Sequence, residues 1–277
     1  MPLLTLCADD FGLSSAVNEG IIRLVKAGRL NAVSCMAGGA EFAKGLPLLM
    51  KACKEAPIKV EIGLHLTFTE YKPLGPMKKL APKDELPSVS TLLVKSHLRL
   101  LNMRELQDEM ARQWQYFIEV AGRSPDFMDG HQHVHLFPQL REAVVQLAKT
   151  KFHGREWVRS CHGDSARLRA CGLPSTGASA RVRIISHLAK HMAKKLQQAD
   201  VKTNPVFYGI NDFNKGENFA DLMQVWVSLA EAENEWTVIM CHPGLKSDND
   251  SIFDPIAARR IDEFEVLLNS DSIYNLK

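Results

Sequence analysis

The stretch Asp129-Gly130-His131-Gln132-His133-Val134-His135 carries an aspartate and three histidines at every second position. Side chains of an extended segment alternate between two faces, so this spacing predicts four ligand-type groups on one side. A lone histidine is most often an ordinary surface or core residue. Three within five residues, ahead of an apolar helix, indicate half of a metal site, because imidazole is the commonest metal-ligating side chain.

Strand-like apolar runs alternate with segments of helical periodicity on both sides of this stretch. Seven strands are predicted, at residues 3–8, 31–36, 58–66, 126–131, 156–161, 206–210 and 236–241. Helices are predicted at about residues 16–27, 41–55, 103–120, 139–149, 180–198, 219–233 and 254–269. The alternation is typical of a parallel sheet that is closed, or nearly closed, into a barrel.

Residues with reactive side chains follow most of the predicted strands. They are Asp9 and Asp10, His65, Asp129 and His131, Arg159, Asn211 and Asp212, and His242. The carboxyl ends of barrel strands share one rim, where active sites of this architecture lie. One Asp and two His on that rim suit a divalent ion with open positions for water and substrate, while a second carboxylate can act as a base. This combination predicts hydrolysis of an acyl bond.

The third strand and the segment after it carry two further signals. Strict alternation over residues 58–66 puts Gly63 and His65 on the inward face, where the glycine leaves room beside the imidazole. Residues 67–97 then form a charged insertion that contains four prolines. An insertion of this length inside a compact domain is often functional, so we expect a substrate lid.

Composition limits the class of protein. The chain has 277 residues, 45% hydrophobic content and a net charge of +2. The length fits one α/β barrel as well as two small domains, and the charge gives no indication of nucleic-acid binding. No apolar run approaches the ~20 residues that span a bilayer, and no leader precedes the first strand, so we expect a cytoplasmic protein without a membrane partner. The six cysteines contain no Cys-x-x-Cys pair and are expected to be buried thiols.

Three motifs carry a resemblance to a known family. The stretches 8–12 (Ala-Asp-Asp-Phe-Gly), 63–66 (Gly-Leu-His-Leu) and 129–135, the last with Pro138, resemble the signature segments of the YdjC-like carbohydrate deacetylases. Later segments at 157–159, 208–209 and 241–244 resemble that family more loosely.

The resemblance implies a single deacetylase domain over residues 1–277, with the distorted (β/α)7 barrel of the glycoside hydrolase/deacetylase type. It implies metal-dependent removal of an N-acetyl group from an acetylated amino sugar or chito-oligosaccharide, with Mg²⁺ or Zn²⁺ as the cofactor, and it is compatible with a homodimer. Matched to the motifs, Asp10, His65 and His131 fall on the metal ligands and Asp9 on the general base. By analogy with related polysaccharide deacetylases, His242 would protonate the leaving amine and Arg159 would orient Asp9.

Other assignments stay open at this point. His131 and His135 form a competing ligand pair, although we favour His133 and His135 as groups that orient ligands or contact the sugar. Asp129 is expected to accept a hydrogen bond from a ligating imidazole, and Asn211 to contact substrate.

Two alternative functions also stay open. One is a metal-dependent sugar-binding protein without turnover. The other is a metal-dependent hydrolase of another amide or of a phosphate ester, which would need more cations at the pocket, for example Lys72, Lys78 and Lys79 of the insertion.

Overall fold

Seven parallel strands form one sheet in the order β5-β4-β3-β2-β1-β7-β6. The computed structural model describes residues 3–163, 168, 180–211, 213, 218–247, 254–269 and 276. The strands are β1 (Leu4–Phe11), β2 (Ala32–Cys35), β3 (Glu61–Leu66), β4 (Phe127–Gly130), β5 (Trp157–Val158), β6 (Val206–Tyr208) and β7 (Thr237–Cys241). All seven predicted strands are present, most of them shorter than predicted.

The two edge strands, β5 and β6, are joined by the residues that precede β6. Val158 forms a parallel bridge with Thr203, and its backbone N–H donates to the carbonyl of Lys202 at 3.0 Å. Two residues further along, the N–H of Ser160 donates to the side-chain oxygen of Asn204 at 3.0 Å. A bridge therefore replaces a regular strand ladder at the seam, and the distorted (β/α)7 barrel expected from the sequence is confirmed.

Eight α-helices lie within the described ranges. They are α1 (Ser15–Lys26), α2 (Phe42–Glu55), α3 (Val89–His97), α4 (Met103–Ala121), α5 (Leu140–Lys151), α6 (Ala180–Gln198), α7 (Phe219–Glu233) and α8 (Ala257–Asn269). The sequence predicted all of them except α3, which begins after the N-cap Ser88 inside the insertion. Among the helices of the described residues, none is both long and apolar enough to cross a membrane.

The histidine stretch departs from the extended conformation that its spacing predicts. Strand β4 ends at Gly130, and residues His131–Leu136 form a 3₁₀ turn in which Gln132 and His133 have φ angles of 52° and 59°. The chain turns over the barrel rim here, so the alternation of a strand is lost. The prediction that Asp129 and the three histidines share one side of an extended segment is therefore wrong.

The insertion is held against α4 by two glutamates. Glu109 is buried and accepts hydrogen bonds from the backbone N–H groups of Leu74 at 2.9 Å and Gly75 at 3.3 Å. One turn earlier on the same helix face, Glu105 accepts from the N–H groups of Lys79 and Leu80. The carboxylates satisfy loop donors that have no partner in a regular element, so this part of the insertion has a defined path.

The described cysteines are free thiols. They are Cys7, Cys35, Cys53, Cys161 and Cys241. All except Cys53 are buried, and burial raises the pKa of these thiols well above the ordinary value. Cys171 and Asp212 lie outside the described residues.

The interior at Gly63 is filled by an aromatic ring. The rings of Phe127 and Trp157 stack with centroids 4.4 Å apart, and a Cβ at Gly63 would lie 2.3 Å from the Phe127 ring. The space that the missing side chain of Gly63 leaves is filled by Phe127 and is not open beside His65 as the sequence predicted. We therefore predict that Gly63→Ala lowers the free energy of unfolding by about 1–3 kcal/mol in urea titrations, because the stack must shift.

Gly38→Ala is the matched control for this prediction. A Cβ at Gly38 would have its nearest contact, the carbonyl oxygen of Lys72, at 3.8 Å, which is ordinary van der Waals distance. Equal urea midpoints for the two variants would contradict the packing assigned to Gly63.

Candidate metal centre and active site

Both carboxylates of the Asp9-Asp10 pair reach the rim cavity, although neighbours on a regular strand face opposite sides. Asp10 has a φ angle of 67°, and the register between β1 and β2 shifts between Ala8 and Phe11. The left-handed residue breaks the alternation, and Asp tolerates this conformation better than most residues. The local distortion is therefore what turns the second carboxylate into the cavity.

Three buried side chains on this rim converge to form a set that we call the ligand trio: Asp10, His65 and His131. One ligand atom from each lies within 4.8 Å of the other two. The Oδ1 of Asp10 is 2.8 Å from Nδ1 of His131 and 3.4 Å from Nε2 of His65. Burial favours the neutral carboxyl, but His131 and Arg260 outweigh it and hold the pKa of Asp10 well below its ordinary value.

The orientation of His65 is fixed by the ring nitrogen that faces away from Asp10. Its Nδ1 is 2.6 Å from Oδ1 of Asp129 and 3.0 Å from the hydroxyl of Ser34. Burial lowers the pKa of His65, but the carboxylates of Asp129 and Asp9 more than offset this and raise it to about 10. A carboxylate behind a histidine is the usual arrangement for a ligating imidazole, since it leaves the other nitrogen directed at the ion.

The ligand trio fits a divalent cation. A carboxylate oxygen and two imidazole nitrogens are a common donor set for such ions, and one face of the set opens on the cavity. His65 must give up its proton to serve as a ligand, which is normal for imidazole sites. The prediction that these three residues lie together is met by the geometry.

Two further buried carboxylates, those of Asp9 and Asp129, are paired with Arg159. The guanidinium bonds both oxygens of Asp9 at 2.7 Å, contacts Oδ2 of Asp129 at 2.7 Å, and lies 3.0 Å from Sγ of Cys7. We call Asp9, Asp129 and Arg159 the Arg159 network. Cys7, Asp9 and Asp129 also lie within 4.8 Å of one another, but the guanidinium supplies the positive charge that these groups need.

His242 forms another part of the cavity wall. Its backbone N–H donates to the carboxylate of Glu263 at 2.5 Å, and its ring meets the edge of Phe213 at 5.2 Å between centroids. Burial is the main cause that lowers the pKa of His242 to about 4. The imidazole is therefore neutral at pH 7.

The rim cavity encloses about 130 Å³. Besides the residues above, the insertion contributes Glu70 and Tyr71, whose ring is 5.8 Å from that of His131. Of the cations near it, Arg181 and Arg260 line the cavity, and the insertion lysines named above are not among its lining residues. Sequence patterns gave no signal for Arg260 or Ser34, because each comes from a segment without a motif. Tyr71 lies in the insertion that was predicted to be a substrate lid, but no pattern distinguished it from its neighbours.

Three further predicted site residues, His133, His135 and Asn211, lie outside the ligand trio. The Nε2 of His135 is 3.0 Å from the carbonyl of Arg159, so this ring lies behind the network rather than in the ligand trio. His133 lines the cavity, with its Nδ1 3.6 Å from the thiol of Cys161. Asn211 bonds the carbonyl of Gly209 and the N–H of Phe213, and it is not among the residues that line the cavity.

Two curated relatives are similar to part of the chain, and both are described as chitooligosaccharide deacetylases. The protein of Proteus mirabilis is 34% identical over 149 residues, which are 54% of this chain and 56% of the relative. The protein of Citrobacter koseri is 32% identical over 146 residues, which are 53% of this chain and 55% of the relative. The chain thus spans about half the length of the curated relatives that it matches.

A solved structure and a family profile extend over more of the chain. The crystal structure of a candidate cellobiose-phosphate cleavage protein from Enterococcus faecalis V583 covers 96% of this chain and 90% of its own, with a TM-score of 0.69 and 21% identity, and this likeness shows the shared fold alone. The profile described as YdjC-like protein matches residues 3–274. Because that match runs over nearly the whole sequence, the chain belongs to the YdjC-like family.

Proposed function

We propose that the chain is a metal-dependent carbohydrate N-deacetylase that removes the acetyl group from an acetylated amino sugar or chito-oligosaccharide. The observation that carries the proposal is the ligand trio beside Asp9 on one cavity wall. The activity named for the two curated relatives supports the same reaction. A protein that only binds a sugar has no need of a base beside the metal ligands.

The ligand trio would hold the cation. Two imidazoles favour Zn²⁺ or another first-row ion over Mg²⁺, which prefers oxygen donors. When bound, such an ion supplies a Lewis acid that polarises the acetamide carbonyl and makes water more acidic.

Asp9 is the base that we propose for the attacking water. Its carboxylate lines the cavity next to Asp10, and Arg159 holds both of its oxygens. The guanidinium fixes the direction of the carboxylate. Water then adds to the carbonyl carbon as Asp9 takes its proton, and the C–N bond breaks.

His242 is the residue that we propose to protonate the amine nitrogen as acetate leaves. Its ring is neutral at pH 7, because burial lowers the pKa to about 4. It must therefore first take up a proton from solvent, which it passes to the nitrogen, and the proton that Asp9 removed from water returns to solvent after acetate has left. The carboxylates of Asp10 and Asp9 favour this uptake, since they raise the pKa of the ring.

The insertion is proposed as the part that contacts the sugar. Glu70 and Tyr71 line the cavity, and the side chain of Gln132 donates to Glu70 at 3.0 Å. This bond joins the insertion to the 3₁₀ turn at His131–Leu136. The single domain over 1–277, the cytoplasmic location and the homodimer stay predictions.

Acetate release tests the proposed reaction most simply. Purified protein loaded with Zn²⁺, Mn²⁺, Co²⁺ or Mg²⁺ is incubated with N-acetylglucosamine oligomers and with other acetylated amino sugars. Acetate and a free amine should appear in equal amounts. Phosphate release from sugar phosphates, or sugar binding without any acetate, would support one of the alternative functions instead.

Removal of the cation should abolish turnover. After treatment with a chelator and gel filtration, we expect acetate release to fall to background, because the trio supplies no Lewis acid by itself. One equivalent of the divalent ion should restore it. Full activity in protein shown by elemental analysis to be free of metal would contradict the mechanism.

Asp9→Asn should lower kcat by about 10²–10⁴-fold, because the amide cannot take a proton, while calorimetry shows the cation still bound. The matched control is Asp126→Asn, which changes another Asp–Arg pair at the opposite end of the barrel, with bonds of 3.0 and 2.9 Å to Arg123. It should retain wild-type kcat. Activity preserved in Asp9→Asn would refute the assignment of the base.

A further inference from the structure

Arg260 is a buried arginine of α8 that the proposed chemistry does not use. Only 3% of its surface is exposed. Its backbone carbonyl accepts from the N–H of Gly244 at 3.0 Å. The Cδ of Arg260 packs so close to that glycine that a Cβ added there would lie 3.3 Å from it. The close fit directs the guanidinium from the outer helix towards the rim cavity.

The guanidinium joins a metal ligand to the cavity wall. Its Nη2 donates to Oδ2 of Asp10 at 2.7 Å, and its Nε donates to Oδ2 of Asp254 at 2.6 Å. Both acceptors line the cavity. The fork geometry of arginine can hold two carboxylates at once in fixed directions, which an ammonium cannot do.

The contact divides the two oxygens of Asp10 between different partners. Oδ2 is bonded to Arg260, whereas Oδ1 faces Nδ1 of His131 and Nε2 of His65. A carboxylate whose second oxygen is held in this way offers a cation one oxygen instead of two. Rotation about the side chain of Asp10 would break the bond to the guanidinium.

We propose that Arg260 is a positioning residue that presents Asp10 as a single-oxygen ligand and ties it, through Asp254, to the cavity wall. The inference rests on the ligand trio of the proposed function, but not on the identity of the substrate. This inference gives α8, which has no recognisable sequence motif, a defined part in the metal site.

Removal of Arg260 is expected to have two opposite effects on the affinity for a metal ion, one through charge and one through geometry. Loss of a cation near the site strengthens the attraction for a metal ion, whereas loss of the fork loosens Asp10. Arg260→Lys separates the two effects, because it keeps the charge and removes the fixed pair of bonds. A change in metal affinity in this variant therefore reports geometry.

The experiment measures binding of Co²⁺ by calorimetry and by the visible absorption spectrum of the bound ion. We expect Arg260→Lys to raise the Kd by about 10–100-fold, as is typical when a group that orients a ligand is replaced, and to alter the spectrum because Asp10 can now supply both oxygens. Asp254→Asn changes only the partner of Nε and leaves the bond from Nη2 to Asp10. It should also raise the Kd, by a smaller factor.

Arg259→Lys is the matched control on the same helix. Arg259 is also buried, but its ion pairs are with Asp262 and Glu263, and its guanidinium lies over the ring of Phe219. This variant should bind Co²⁺ with the wild-type Kd and spectrum. Its thermal midpoint, compared with that of Arg260→Lys, separates altered ligand geometry from general weakening of the helix.

Each outcome has one meaning. Wild-type Kd and spectrum in both Arg260→Lys and Asp254→Asn would overturn the positioning role. Wild-type protein that binds Co²⁺ but releases no acetate would overturn only the proposed reaction and leave this inference standing. Wild-type protein that takes up no divalent ion would overturn the ligand trio and this role with it.

Discussion

The interaction on which the site depends is the buried contact of Arg159 with Asp9 and Asp129. Removing three charged groups from water costs several kcal/mol for each ion, and only close, well-directed contacts offset that cost. The two 2.7 Å hydrogen bonds from the guanidinium to Asp9 meet this requirement, and an ion pair with Oδ2 of Asp129 at 2.7 Å adds to them. Because Asp9 lies in β1, Asp129 in β4 and Arg159 directly after β5, the network also fixes how those strands are placed around the barrel.

The ligand trio is built on this network and on Arg260. Asp129 belongs to the network and at the same time holds His65 by Nδ1, so that the charge balance of the interior and the direction of a metal ligand are set by one carboxylate. Two guanidinium groups, those of Arg159 and Arg260, are paired with four carboxylates: Asp9, Asp10, Asp129 and Asp254. The carboxylate charge therefore exceeds the charge of these two arginines, which suits a site that attracts a cation.

Sequence periodicity predicted the elements that depend on local patterns. Alternation of apolar residues located the seven strands, and the rule that strand ends share a rim brought together residues as distant as Asp10 and His131. It failed where the backbone leaves regular structure. Left-handed residues at Asp10, Gln132 and His133 redirect side chains in ways that a period of two does not describe.

The parts that sequence could not reveal are set by tertiary contacts. Arg260 lies on an amphipathic helix whose pattern indicates only that one face is buried, and nothing in that pattern shows that the buried arginine would meet Asp10. The path of the insertion likewise depends on Glu105 and Glu109 of another helix. Long-range hydrogen bonds of this kind have no spacing rule.

The most direct test of the central claim is the location of the cation itself. Crystals grown with Zn²⁺ or Co²⁺ and measured on both sides of the absorption edge of that metal would give an anomalous difference map. The account predicts one strong peak bonded to Oδ1 of Asp10 and to the imidazoles of His65 and His131. A peak among Cys7, Asp9 and Asp129 instead, or no peak on the rim in protein that binds the ion in solution, would contradict it.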